Sequence, residues 1–67
     1  MAAHKLVKVT MVDWGAEEHS TVWEVPATWP DGEIICMARG YFDPAHVEVG
    51  PAEEGAVPEY TFGDVAG

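Results

Sequence analysis

Two adjacent carboxylate pairs, Glu17-Glu18 and Glu53-Glu54, are the first side chains in this 67-residue chain that could act as acids or bases. General acid catalysis needs a carboxyl with a raised pKa, hence burial or a buried neighbour. Both pairs fall in segments that read as loops, so solvated acids are the expectation. Of His4, His19 and His46, the last shares a strand face with Glu48, and Asp43 is near in sequence. That trio could hold a divalent metal, but the chain has neither a Cys pair nor a His-Glu-x-x-His helix, and the spacing assigns no metal. Ser20 follows His19 directly, and strand neighbours point to opposite faces, so the two cannot form a nucleophile–base pair. Cys36 is the single cysteine and reads as a small buried apolar residue. No Gly-rich phosphate loop is present. The expectation is no enzyme, no catalytic residue and no cofactor.

Charge is the unusual feature. Twelve Asp and Glu stand against three Lys and Arg, for a net charge of −9. An average domain of this size carries roughly eight of each sign. The bases are Lys5, Lys8 and Arg39. Such a surface repels nucleic acid and anionic membrane, so a charged partner should be basic. Trp14, flanked by Asp13 and Glu17-Glu18, is an apolar anchor ringed by charge, as interface centres are built.

These residues need elements to position them. Residues 5–13 alternate Val7, Val9 and Met11 against Lys8 and Thr10, which predicts a strand. Trp14–Glu18 reads as a turn in which Gly15 takes positive φ, and His19–Val25 as a second, antiparallel strand ended by Pro26. Thr28 as N-cap, Pro30 in the first turn and Asp31 three residues on predict a helix over Trp29–Arg39, closed by Gly40. The rival reading is a Pro-Asp-Gly turn with a short strand at Glu33–Met37. Ala45–Val49 alternates as a third strand, Gly50–Pro58 is a loop, and Glu59–Phe62 suits a short edge strand. A helical crossover returns the chain parallel and right-handed, which sets the third strand beside the first.

The expected fold is thus a single α+β domain, β-β-α-β, with a mixed sheet of three or four strands in order 2-1-3 and one helix on one face. Val7, Val9, Met11, Trp23, Val25, Ile34, Ile35, Ala38, Val47 and Val49 form the expected core. Residues 50–67 are expected to be partly extended or flexible. A lone cysteine and an N-terminus without an apolar leader point to the cytoplasm.

Functionally, the expectation is a small acidic interaction module that occupies a basic site on another protein. A domain of this length is roughly 28 Å across, and one DNA strand of that length carries about eight phosphates. Charge mimicry is therefore the sharper form: an inhibitor of a DNA-processing enzyme (a glycosylase, nuclease or CRISPR effector), of the kind phages encode. The partner-binding candidates are Asp13, Trp14, Glu17, Glu18, Glu24, Asp31, Glu33, Glu48, Glu53 and Glu54, with no direct contact to nucleic acid or membrane. The alternative is a structural or regulatory subunit that self-associates as a homodimer through the uncovered sheet face.

Overall fold

The computed structural model describes residues 3–62. Two nine-residue strands, β1 (His4–Val12) and β2 (Glu18–Pro26), pair antiparallel with Val7 opposite Trp23 and Val9 opposite Thr21. Helix α1 (Asp31–Phe42) follows, then β3 (His46–Pro51) and the two-residue β4 (Tyr60–Thr61). The sheet order is β3-β1-β2-β4, so the expected 2-1-3 arrangement is present with β4 added outside β2. β2 and β3 run in the same direction, as a helical crossover requires, with β1 antiparallel between them. β4 lies parallel to β2, which makes the sheet mixed.

Strand alternation sorts the side chains. Odd-numbered residues of all three long strands face α1. Val7, Val9, Trp23, Val25 and Val47 meet Ile34 and Ala38 in the buried core, with Met11, Ile35 and Val49 packed against it. Seven of the ten expected core residues are thus buried and the other three pack against them, as do Trp29, Met37 and Phe62. Trp23 is fully buried beneath Phe62, Phe42 and Tyr60, at ring-centroid distances of 4.6, 6.0 and 6.5 Å.

The main chain alternates in the same way. Asp13 N–H donates to Glu17 O, and Ala27 N–H to Ala3 O, each at 2.9 Å, so odd residues exchange the hairpin's hydrogen bonds. Even residues of β1 and β2 turn their N–H and C=O outward. Those of β1 face β3, where Ala45 N–H reaches Val12 O at 2.8 Å. Those of β2 face β4, where Glu59 N–H reaches Val22 O at 2.7 Å and Phe62 N–H reaches Glu24 O at 2.8 Å.

Local geometry departs from the sequence expectation at four points. Positive φ falls on Ala16 (69°), not on Gly15. A three-residue hairpin loop places a type I turn first and the left-handed residue third, and Ala16 N–H to Asp13 O closes that turn. Thr28 does not cap the helix. α1 starts two residues later than expected, with Pro30 at its N-cap and no side-chain cap hydrogen bond; proline has no N–H to leave unpaired there. Gly40 does not end the helix. The chain stays helical to Phe42 and stops on Asp43 in the left-handed region (φ 49°, ψ 52°), whose N–H donates to Arg39 O. Pro44 next in line cannot continue a helix, and Asp tolerates left-handed geometry. Finally, Cys36 is exposed rather than buried. It sits two residues from both Ile34 and Ala38, roughly 200° around the helix from each. No described helix is long and apolar enough to cross a membrane.

Truncating Trp23 to Ala should cost about 3–5 kcal/mol. Total stability for this length is roughly 3–10 kcal/mol, so urea melts should show W23A losing about a third or more of its stability, with a correspondingly lower midpoint. Replacing Ala16 with Gly relieves the strained φ and should raise the urea midpoint, by about 1 kcal/mol of stability.

Candidate functional site

The hairpin turn and the C-terminal end of α1 lie at the same end of the molecule. Trp14 Nε1 donates to Asp43 O at 3.0 Å, which ties the two together across 29 residues of sequence. Between them opens a hollow of about 440 Å³. Met11 and Thr21 form its floor on the sheet, and Phe42, Pro44 and Tyr60 its walls. Phe42 and Tyr60 contact each other at 5.8 Å, centroid to centroid, yet each remains more than 40% exposed. Their inner edges rest on Trp23, and their outer edges have nothing left to bury them. Tyr41 and Trp14 are exposed at the same end, at 66% and 76%. Large apolar side chains are thus gathered at one exposed end.

The rim is anionic. Asp13 and Glu59 line the hollow with His19, and no Lys or Arg does. Asp13 is fixed by its own turn: Oδ1 accepts from Gly15 N–H and Glu17 N–H, both at 2.9 Å. His19 Nε2 lies 3.8 Å from Asp13 Oδ2 and 3.9 Å from Glu17 Oε1. One ligand-type atom from each of these three residues falls within 4.8 Å of the others. Glu59 accepts a hydrogen bond from Thr21 Oγ1, which pins the start of β4 to β2.

No protein-family model, curated protein or solved structure matches this chain. The site is accordingly defined by its own geometry.

Of the ten partner-binding residues expected from sequence, four come together at this end: Asp13, Trp14, Glu17 and Glu18 occupy the turn and the first residue of β2. Glu24 and Glu48 lie on the sheet face away from α1, where Glu24 accepts from Thr61 Oγ1 at 3.4 Å and Glu48 pairs with His46 Nε2 at 3.1 Å. Asp31 and Glu33 sit in the first turn of α1, about 14–17 Å of helix away from Phe42 at the hollow. Glu53 and Glu54 belong to the β3–β4 connection. On the open face, Glu48 shares a row with Thr10 and Ser20, while Glu18 and Glu24 fall in rows to either side. Strand spacing and rise put the backbone positions of these acids roughly 12–20 Å apart, far sparser than one phosphate per 3.4 Å or so of a DNA strand. The described acids do not line a single ridge.

Sequence reasoning missed Phe42, Pro44, Tyr60 and Glu59 as site residues. Asp43-Pro44 was the available signal for the first two, because that stop carries the helix on to Phe42. Nothing local announces that Tyr60 returns to β2.

Asp13→Ala removes both turn hydrogen bonds and should lower stability by about 1 kcal/mol. Glu17→Ala should stay within about 0.5 kcal/mol of the parent. Parallel urea melts check the contrast.

Proposed function

We propose that this chain is a small acidic interaction module that occupies a basic site on another protein, with an apolar side chain of that protein entering the hollow beside Phe42 and Tyr60. The observation that carries the reading is the coincidence of half-exposed aromatic side chains and an anionic rim in one cavity. Apolar contact supplies affinity at such a centre, and the surrounding charge selects the partner and speeds encounter. A net charge of −9 adds a long-range field of the same sign.

Basic sites of this kind are those built to hold a polyanion, so a DNA-processing enzyme blocked by this module is the partner we favour, in the cytoplasm. Blocking then comes from an anchored acidic plug rather than from a copied phosphate track, since the acids are dispersed. Binding, not catalysis, fits the polar groups. Ser20 Oγ pairs with Thr10 Oγ1 at 3.2 Å, and His19 lies on the opposite face of β2. Self-association through the open face has less support, because Lys8, Thr10, Ser20, Glu24 and Glu48 interrupt Leu6, Val12 and Val22 there.

Immobilised protein should recover basic DNA-handling enzymes from a bacterial lysate at low salt and release them as ionic strength rises. The double variant Phe42→Ser, Tyr60→Ser should recover far less. Recovery of no such enzyme, or equal recovery by the double variant, would refute the reading.

A further inference from the structure

β4 covers little of the strand it pairs with. Its register on β2 is Trp23 with Tyr60 and Glu24 with Thr61, and Glu59 N–H to Val22 O is the last main-chain bond toward the hairpin tip. Four residues of β2, Glu18–Thr21, therefore lack a strand on that side among the described residues. Alternation along β2 turns the N–H and C=O of Glu18 and Ser20 to this edge, and both residues are exposed. Three of these four border the hollow, for His19, Ser20 and Thr21 all line it.

Resting on the partner reading above, we infer that the partner binds by strand addition: an extended, basic segment occupies the row ahead of Glu59 along Glu18–Thr21. Its main chain takes up the free N–H and C=O groups of Glu18 and Ser20, and one alternate side chain enters the hollow beside Phe42 and Tyr60. Main-chain bonds supply affinity in this mode, and pockets for alternate side chains supply specificity.

Charge decides the occupant. Glu17, Glu18, Asp13 and Glu59 surround the edge, and no Lys or Arg lines the hollow beside it. A second copy of this chain would set the same acids against themselves, which is how exposed edges avoid self-pairing. A segment with Lys or Arg at alternate positions cancels that repulsion, and an aromatic or branched residue between them suits the apolar walls. β3 offers a poorer edge. Only Val47 and Val49 turn their main chain outward before Pro51 ends it, and the large hollow lies beside β2.

The test uses the whole chain and a capped peptide, Arg-Val-Arg-Phe-Arg-Val-Arg, with a second copy N-methylated at every residue. Amide hydrogen exchange is read residue by residue. The parent peptide should slow exchange at Ser20 by about tenfold or more at saturation, with Thr21 unchanged because its N–H is already bonded to β1. The methylated peptide should protect nothing. Ser20→Pro removes an outward N–H that the fold does not use. It should keep the parent's circular dichroism and lose peptide binding. Equal binding of both peptides, binding without protection of Ser20, or no binding by the parent peptide overturns strand addition. Those results leave the acidic-module reading to its own test, which turns on enzyme capture and not on this peptide.

Discussion

Burial of Trp23 is the interaction on which the rest of this small structure depends. Its ring is fully covered, opposite Val7 on β1 and beside Tyr60 on β4, with Phe62 closest and Phe42 arriving from the helix end. A tryptophan buries on the order of 200 Å², worth roughly 5 kcal/mol at 25 cal/mol per Å². The indole Nε1 finds no hydrogen-bond partner among the described residues, which costs about 1–3 kcal/mol. The apolar term is the larger, so the site holds. One side chain thereby joins the hairpin, the helix end and the short fourth strand.

The same arrangement produces the exposed aromatic cluster. A chain of 67 residues has too little interior to enclose five neighbouring aromatic rings. Trp23 takes the inside place, Phe62 is partly covered, and Phe42, Tyr60 and Tyr41 are left facing water. The hairpin turn, held to α1 through Trp14 and Asp43, brings Asp13 and Glu17 alongside them. None of the three cations lines the hollow: Lys5 Nζ donates to Trp29 O at 2.7 Å, Lys8 lies on the open sheet face, and Arg39 stands exposed in the last turn of α1. The result is an apolar hollow with acids at its border.

Period-two alternation made the sheet legible from sequence. Val7, Val9 and Met11 on one strand and Trp23 and Val25 on the next could pack in one way, and the crossover rule then ordered three strands. Helix limits were less legible because competing signals overlap. Thr28 and Gly40 look like caps in isolation, yet Pro30 and Asp43-Pro44 set the real ends. The acids were legible by type but not by place. Their spacing in sequence says nothing about which carboxylates a fold gathers, and here Asp31 and Glu33 end up at the far end of the helix. The hollow itself depends on Tyr60 returning to β2 some 37 residues after Trp23, a long-range pairing with no local mark.

The most direct measurement of the central claim is a residue-resolved map of amide and indole chemical-shift changes as a captured basic partner is titrated in. Changes should concentrate at Asp13–Thr21, Phe42 and Glu59–Tyr60, with the Trp14 indole moving most among the tryptophans. Changes centred on Lys8, Thr10 and Glu48 of the open sheet face, or on Asp31 and Glu33, would contradict it.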